Sequence, residues 1–184
     1  DRFSSFTKHR PLVLILANNS YDCLIGYVGL LRANAVVALI NDSIHKSMLN
    51  DLVINFKPTF IYQPKNLFQC EKDWEQKLKF GKYVLYETNA EIDYDINGDL
   101  SLLLMTSGST GSPEFVRLSH ANIYSNTKSI CEYLKIGKND KAITTLPMSY
   151  SYGISIINTH LFSGASLILT DSSIVENKFW NLLS

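Results

Sequence analysis

The feature that most constrains the fold is a series of short apolar runs that alternate with segments of helical periodicity. The runs PLVLILA (11–17) and AVVALI (35–40) have the length and apolar content of strands buried in a parallel sheet. Between them the polar residues NNS offer a helix N-cap, and apolar residues then recur at helical spacing from Tyr21 to Leu31. We therefore predict a strand, a helix and a second strand in this order.

The rest of the chain repeats this alternation. We predict further strands at TFIY (59–62), KYVLYE (82–87), SLLLMT (101–106), FVRLS (115–119), KAITTLP (141–147) and ASLILT (165–170). We predict further helices at 48–56, at KDWEQKL (72–78), after Ser119 with Ile123, Ile130, Cys131 and Leu134 on its inner face, at 151–162 and at 175–183. The short links predict an α/β fold of mostly parallel β-sheets flanked by helices. The acidic, turn-forming segment 87–99 is the predicted sub-boundary.

The charge balance excludes some classes of function. Lysine and arginine total 17, as do aspartate and glutamate, so the formal net charge is +0. Without a bulk field, we expect neither nucleic acid nor an anionic membrane as a partner. No apolar run approaches the length of a membrane span. The cysteines (Cys23, Cys70 and Cys131) form neither a CxxC pair nor a disulfide framework, which indicates a reducing compartment such as the cytoplasm.

The sharpest local signal is TSGSTG (106–111), a run of small residues that directly follows the apolar run SLLLM. Its glycines, Gly108 and Gly111, allow positive φ angles and close approach of a ligand. Its hydroxyl residues are Thr106, Ser107, Ser109 and Thr110. Hydroxyls and successive main-chain N–H groups can together form a concave anion site, and ligands of α/β sheets lie at the carboxyl ends of strands. The loop therefore predicts phosphate binding, with a plain turn between two strands as the alternative.

Two better-known glycine motifs do not fit this loop. It is not a Walker A motif, because Pro113 and Glu114 stand where that motif has Gly and Lys. The strand-like FVRLS that follows predicts a strand–loop–strand layout, with no helix dipole aimed at the loop. It is not a G-x-S-x-G nucleophile elbow either, because only Ser109 and Thr110 separate the two glycines.

Other polar patterns carry less information. Segment 93–99 matches the first half of a calcium-binding loop, but Leu104 stands where the bidentate Glu belongs, so we interpret the segment as a polar turn. The histidines lack metal-ligand spacing, and we predict no metal site formed by the chain. The aromatic pair Tyr150 and Tyr152 is compatible with ordinary core or with the wall of a ligand site.

The motif TSGSTGSPEFVRLSH (106–120) resembles the signature loop of the adenylate-forming enzymes, which include acyl- and aryl-CoA synthetases, luciferases and the adenylation domains of peptide synthetases. That signature reads Thr-Ser-Gly-Ser/Thr-Thr-Gly-x-Pro-Lys-Gly, followed by Ser or Thr and then His. Segments 11–41, LPMSYSYG (146–153) and FSGASLILT (162–170) are similar to further blocks of the family. The resemblance therefore extends in order across nearly the whole chain.

The resemblance implies that residues 1–184 form the front part of a large N-terminal domain, without the adenine-binding region and the C-terminal domain. It implies that ATP and Mg²⁺ activate a small-molecule carboxylic acid to an acyl-adenylate, and that CoA or the phosphopantetheine of an acyl carrier protein accepts the acyl group. Thr106–Gly111 would cradle the β- and γ-phosphates. Tyr150 would lie beside the carboxylate, and Tyr152 and Gly153 would help to line the acyl pocket. We assign no catalytic residue within the chain and expect it to be inactive alone.

The chain departs from the family pattern in its loop and at Tyr150. Glu114 and Phe115 replace Lys and Gly of the loop, and Tyr150 replaces a common His. A carboxylate 4 Å from a phosphate charge is repelled by about 1 kcal/mol in water, and by more where water is excluded. We expect Arg117 to compensate, or Glu114 to point to solvent.

The resemblance therefore predicts an N-terminal fragment of an ATP-dependent carboxylate-activating ligase. The alternative is a non-catalytic relative, a binding module whose altered loop no longer handles ATP, and Glu114 favours it. A P-loop NTPase is disfavoured by the failed lysine spacing. The sequence leaves the substrate open: a fatty acid, an aryl acid, or an acid passed to a carrier protein or to a sugar-modifying pathway all fit. The block LPMSYSYG (146–153) is more similar to the acyl-CoA synthetase branch than to the amino-acid branch, and we expect a role in fatty acid metabolism.

Overall fold

A computed structural model describes residues 10–68, 74–106 and 114–182 of the chain. Its strands are β1 (Leu12–Ala17), β2 (Val36–Asn41), β3 (Phe60–Pro64), β4 (Glu75–Phe80), β5 (Tyr83–Glu87), β6 (Leu100–Thr106), β7 (Glu114–Ser119), β8 (Lys141–Ile143) and β9 (Ser166–Ile168). Its helices are α1 (Tyr21–Arg32), α2 (Lys46–Phe56), α3 (His120–Leu134), α4 (Ser151–Phe162) and α5 (Asn177–Asn181). None of these helices is long and apolar enough to cross a bilayer. The order of elements confirms the predicted α/β fold class.

Strands β1 to β7 form one sheet in the order β4-β5-β3-β1-β2-β6-β7. The central strands β3, β1, β2 and β6 are parallel neighbours, as predicted. Both edges are antiparallel, because β5 pairs with β3 and β4, and β7 pairs with β6. The link Gly81–Lys82 between β4 and β5 has only two residues. Such a short link can join antiparallel strands only, because parallel neighbours need a long crossover.

Alternation of side chains along the strands builds a core layer on each face of the sheet. In β2, Val37 and Leu39 join the layer that α1 and α4 cover, while Ala38 and Ile40 join the layer that α2 covers. Every residue of β1 is buried, as expected for a central strand covered on both faces.

The predicted N-caps of α1 and α3 are confirmed. The Ser20 side chain accepts a hydrogen bond from the Cys23 N–H at 3.3 Å, at the start of α1. At the start of α3, the Ser119 hydroxyl accepts from the Asn122 N–H at 3.1 Å, and the Asn122 side chain accepts from the Ser119 N–H at 3.0 Å. This reciprocal capping box fixes where β7 ends and the helix begins.

The predicted helix KDWEQKL (72–78) is wrong, because Glu75–Phe80 is strand β4. Its residues favour helix by propensity, but antiparallel pairing with β5 supplies backbone partners along its length. The Lys77 ammonium also lies 2.7 Å from a carboxylate oxygen of Glu75 and 2.8 Å from one of Glu87. Tertiary pairing therefore overrides local propensity at this exposed edge of the sheet.

The predicted inner face of α3 is correct except at its end. Cys131 is buried and Ile123 packs against the core. Leu134 was expected to face inward, but 59% of it is exposed. The buried side of the helix runs through Thr127 and Cys131, and Leu134 lies in the last turn, beyond the part that the described elements cover.

A second, smaller sheet consists of β8 and β9, which are parallel, with Ile143 opposite Ile168. Helix α4 connects these two strands and packs against both of them. Its residues Ile154 and Ile157 also enter the core of the seven-stranded sheet. Helix α4 is therefore shared between the two sheets, and the segment that leads into it lies near their junction.

The acidic segment between β5 and β6 contains neither helix nor strand, as predicted. It is tied to the end of α2: the Lys57 ammonium lies 2.6 Å from an Asp93 carboxylate oxygen, and the Tyr94 hydroxyl donates to the Lys57 carbonyl at 2.9 Å. The strands on its two sides belong to the same sheet. The sub-boundary at 87–99 remains a prediction.

Candidate functional site

Polar residues cluster where the central parallel strands end. Asn18 and Asn19 follow β1, Asn41 ends β2 and Thr106 ends β6. Because these strands are parallel, their carboxyl ends meet at one edge of the sheet. Ligands of open α/β sheets bind at this edge, and the predicted phosphate loop 106–111 begins here.

A cavity of about 110 Å³ opens at this edge. It is lined by Leu39 and Asn41 of β2, Met105 and Thr106 of β6, and Ser149 and Tyr150 of the segment before α4. Strand alternation places Leu39, Asn41 and Thr106 on the sheet face that α4 covers. The structure thus brings together two of the predicted site residues, Thr106 and Tyr150.

Ser149, which lines this cavity, carries a buried hydroxyl without a partner among the described residues. Ser149 is only 6% exposed, and its hydroxyl has no hydrogen-bond partner within the described parts of the chain. A buried polar group without a partner costs about 1–3 kcal/mol. The hydroxyl oxygen is itself buried, so it meets a ligand in the cavity only if the side chain turns toward it. The sequence analysis identified the block 146–153 but not this residue within it.

Tyr150 and Tyr152 are not core residues, because 56% and 64% of their surfaces are exposed. Tyr150 occupies the N-cap position of α4, where the described structure gives it no side-chain cap hydrogen bond. Its own N–H donates to the Pro147 carbonyl at 3.0 Å, and its carbonyl accepts from the Ile154 N–H at 2.9 Å. The backbone of Tyr150 is therefore fixed, and the positive end of the α4 dipole lies beside the cavity.

Gly153 has a steric role in this arrangement. A Cβ atom at residue 153 would lie 2.2 Å from the Pro147 carbonyl oxygen and 3.0 Å from that of Leu146. Only a residue without a side chain lets the segment before α4 fold back onto the first turn of the helix. Gly153 thus controls the position of Ser149 and Tyr150, whatever it contributes to an acyl pocket.

The predicted phosphate loop is framed by β6 and β7. Thr106 pairs with Glu114 across the two strands, and the Thr106 hydroxyl donates to the Glu114 carbonyl at 3.4 Å. The residues between these ends lie outside the described part of the chain. They include the candidates Ser107, Gly108, Ser109, Thr110 and Gly111. The two strands that the sequence predicts on either side of this segment are confirmed.

The two candidate modulators of phosphate binding lie on opposite faces of β7. Glu114 is exposed and pairs with Thr106, whereas Arg117 pairs with Leu103, whose side chain belongs to the other core layer. Arg117 instead lines a separate cavity of about 480 Å³, together with Asp99 and other residues. The structure therefore does not bring Arg117 next to the Glu114 carboxylate.

A pair of carboxylates lies near the strand ends and was not identified from the sequence. The Asn18 amide donates to an Asp42 carboxylate oxygen at 3.0 Å. Burial raises the pKa of Asp42, the hydrogen bond from Asn18 lowers it, and the negative charge of Asp171 raises it again, so the net pKa lies above the ordinary value. The sequence could have identified Asn18 and Asp42 by their position, because each directly follows a buried strand.

The described residues offer neither a metal cage nor an activated thiol at this edge. Within the ranges that the structure covers, no group of three or more His, Cys, Asp or Glu residues could hold a metal ion. Cys23 is fully buried, and burial raises the pKa of its thiol to about 12. A thiol with such a pKa is not a nucleophile near neutral pH.

Comparison with known proteins identifies the family and the fold. A family model described as AMP-binding enzyme matches residues 7–184. The D-alanine--D-alanyl carrier protein ligase of Staphylococcus aureus (strain JH9) is 22% identical over 173 residues, which are 91% of this chain and 34% of that protein. ATP-bound MatB from Rhodopseudomonas palustris has a TM-score of 0.72 at 18% identity, covering 99% of this chain and 40% of that one. O-succinylbenzoate coenzyme A synthetase (MenE) from Bacillus subtilis, in complex with ATP and magnesium ion, has a TM-score of 0.72 at 15% identity, covering 99% and 51%.

The chain thus spans 34% of the length of that carrier protein ligase and 40% to 51% of these two structures. Structural likeness at such low identity establishes the fold, and it confirms the predicted architecture, that of the N-terminal domain of acyl-CoA synthetase-like enzymes. The family model covers nearly every residue, including the loop TSGSTG and the block LPMSYSYG. The chain therefore belongs to the AMP-binding enzyme family.

Proposed function

We propose that the full-length protein uses MgATP to activate a carboxylic acid, forming an acyl-adenylate and pyrophosphate. The acyl group then passes to a thiol, either of CoA or of phosphopantetheine on a carrier protein. The observation that carries this proposal is the cavity at the strand ends, which Ser149 and Tyr150 line together with the end of β6. This cavity lies directly next to the start of the predicted phosphate loop.

The reaction requires two anions, a carboxylate and a triphosphate, to be held together. The cavity is large enough for a carboxylate group but not for a nucleotide. Ser149 can donate a hydrogen bond to a carboxylate oxygen, and the N-terminus of α4 stabilises negative charge. We assign the β- and γ-phosphates to the loop 106–111, whose hydroxyls and main-chain N–H groups suit phosphate oxygens.

Magnesium in this proposal arrives with the nucleotide. Mg²⁺ commonly binds through substrate phosphates and a few protein oxygens, and it keeps several waters. The ion would neutralise charge on the transferring phosphoryl group.

The acid and its acceptor remain to be identified. The carrier protein ligase and the coenzyme A synthetase among the similar proteins support an acid–thiol ligase, with either acceptor. Fatty and aryl acids fit the block LPMSYSYG, and a soluble, cytoplasmic enzyme fits the cysteine pattern of the sequence. Because the chain spans about half or less of these relatives, we expect it to be inactive when expressed alone.

A second candidate function is supported by Glu114. This residue occupies the position of the family's loop lysine, and its side chain is exposed on the same sheet face as Thr106. Repulsion between its carboxylate and a triphosphate would weaken ATP binding. The rival proposal is therefore a non-catalytic binding module.

ATP–pyrophosphate exchange on the full-length protein, with a panel of fatty, aryl and amino acids, separates the two proposals. A ligase incorporates labelled pyrophosphate into ATP only when its acid is present. Exchange with none of the acids, combined with undetectable ATP binding by calorimetry, would exclude the ligase and favour the binding module.

A further inference from the structure

Asn19 is placed to hold the segment that carries Ser149 and Tyr150. It lies in the link between β1 and α1 and is only 7% exposed. Its side-chain amide donates to the Leu146 carbonyl at 3.1 Å and to the Thr170 carbonyl at 3.2 Å. Its side-chain oxygen accepts from the Met148 N–H at 3.0 Å. One side chain thus uses both amide hydrogens and its oxygen on backbone groups far away in sequence.

The bonds to Leu146 and Met148 define the path of the backbone just before the cavity. Met148 is 1% exposed, and its side chain is part of the core layer under α4. Ser149 and Tyr150 follow immediately, and both line the cavity. The hydrogen bonds to the Leu146 carbonyl and the Met148 N–H therefore fix the backbone position from which the Ser149 and Tyr150 side chains extend.

The same residue joins the two sheets. The Asn19 N–H donates to an Asp171 carboxylate oxygen at 3.0 Å, and its side chain reaches the Thr170 carbonyl beyond β9. Thr170 is in turn held by Thr144 after β8, whose hydroxyl accepts from the Thr170 N–H at 3.0 Å. The end of β1 in the large sheet is thus bonded to the ends of both strands of the small sheet.

We propose that Asn19 is a positioning residue for the carboxylate end of the site, which sets the placement of Ser149 and Tyr150 without touching the acid itself. This inference rests on the proposed function for its catalytic consequence. The chemistry is specific to an amide, because the contacts need two donors and one acceptor on one short side chain. Aspartate would place a carboxylate against the carbonyls of Leu146 and Thr170. Alanine would remove the Asn19 partner of the Leu146 carbonyl and of the Met148 N–H, and would leave the Thr170 carbonyl with the Thr144 hydroxyl as its donor at 3.2 Å.

The test uses the full-length protein and the variants Asn19→Ala and Asn19→Asp. The matched control is Asn158→Ala on α4, which also removes a long-range hydrogen bond, the one that the Asn158 side chain accepts from the Tyr27 hydroxyl at 3.2 Å. The first readout is hydrogen exchange of the peptide 144–152 without any ligand. Both Asn19 variants should exchange this peptide faster than wild type, with Asn19→Asp at least as fast as Asn19→Ala, whereas Asn158→Ala should match wild type.

The second readout is ATP–pyrophosphate exchange with the acid that supports it best. Displacement of the segment should lower kcat/KM for the acid by about 10- to 100-fold, while KM for ATP stays within about two-fold. Equal loss for the acid and for ATP, or equal loss in Asn158→Ala, would indicate general destabilisation and overturn the proposal.

The two readouts keep the two proposals distinguishable. If wild type shows no exchange with any acid, the proposed function fails, and hydrogen exchange alone decides whether Asn19 holds the segment. Unchanged protection of 144–152 in Asn19→Ala would overturn the positioning role even in an active enzyme. Should Asn19→Ala fail to fold, Asn19→Ser, which keeps a small polar group, is measured in the same way with the same expectations.

Discussion

The ring of Tyr62 in β3 lies directly against the backbone of Gly26 in α1. A Cβ atom at residue 26 would be 2.0 Å from the Cε1 atom of Tyr62. The Tyr62 hydroxyl also donates to the Asp22 carbonyl at 3.0 Å, and its ring lies 4.7 Å from that of Tyr83. The glycine thus allows α1, which connects β1 and β2, to pack closely against the parallel strands. The carboxyl ends of these strands form the candidate site.

Replacing Gly26 by alanine should destabilise the protein. The added methyl group forces the buried Tyr62 ring or the helix to move, and overpacking of this kind costs about 1–3 kcal/mol. Urea denaturation measures the change. Gly137→Ala is the control, because a Cβ at residue 137 would meet nothing within 4 Å. Equal stability of Gly26→Ala and wild type would contradict the described packing of α1.

Replacing Ser149 by alanine should lower activity without lowering the stability of the protein. The free protein should be as stable as wild type or more stable, because a buried hydroxyl without a partner is removed. A lost hydrogen bond to a carboxylate should lower kcat/KM for the acid by about 10- to 100-fold. Thermal unfolding and pyrophosphate exchange measure the two effects. Ser155→Ala is the control, since its hydroxyl donates to the Tyr152 carbonyl within α4 at 2.7 Å.

Replacing Gly153 by alanine should displace the segment before α4. The new methyl group would overlap the Pro147 carbonyl oxygen. We expect faster hydrogen exchange of peptide 144–152 and a loss of activity that is not additive with Asn19→Ala, because both changes move the same segment. Additive losses in the double variant would show that the two residues act independently.

Replacing Glu114 by lysine should tighten binding of MgATP. The change removes a negative charge beside the predicted phosphate loop and adds a positive one, and each unit charge at 4 Å contributes about 1 kcal/mol or more. Calorimetry should therefore show Kd lowered by at least about five-fold. Glu91→Lys, an equal charge change on the exposed segment between β5 and β6, should leave Kd unchanged. An unchanged Kd in Glu114→Lys would mean that residue 114 does not face the nucleotide.

Replacing Asp42 by asparagine should raise stability at neutral pH. The pKa of Asp42 is raised, chiefly by burial, with Asp171 adding repulsion. Because the folded protein holds this proton more tightly than the unfolded chain does, stability falls as pH rises from the ordinary carboxyl range through the raised pKa. The gain in Tm of Asp42→Asn should therefore be largest above that pKa and vanish below about pH 4. A gain that grows as pH falls would contradict the direction of the shift.

The sequence predicted the strands and helices where the pattern and the tertiary environment agree. β1, α1, β2 and α2 follow from buried runs and helical spacing. The helix predicted at 72–78 was wrong, because its polar residues favour helix by propensity but pairing with β5 makes Glu75–Phe80 a strand. The inward placement of Leu134 failed because a helical pattern does not show how far along the helix its neighbours extend.

The site could be predicted only in part. Thr106 and Tyr150 come from motifs, and the structure places both at one cavity. The sequence could have predicted that Glu114 and Arg117 lie apart, because successive residues of a strand alternate between the two faces of the sheet. The role of Asn19 could not be predicted, because its side-chain partners lie 127 to 151 residues away along the chain. From the sequence alone, Asn19 was interpreted as part of a helix cap.

The strand order also has a consequence for how the chain is made. β2 pairs with β1 on one side and with β6 on the other, where Val37 lies opposite Leu102. A nascent chain leaves the ribosome from its N-terminus, so one edge of β2 has no partner until Leu100–Thr106 has emerged. During that interval the apolar sequence VVALI presents open backbone groups, which can capture a strand of another nascent molecule. Arrival of β6 supplies the missing partner, so translation past Leu100–Thr106 removes this open edge of β2.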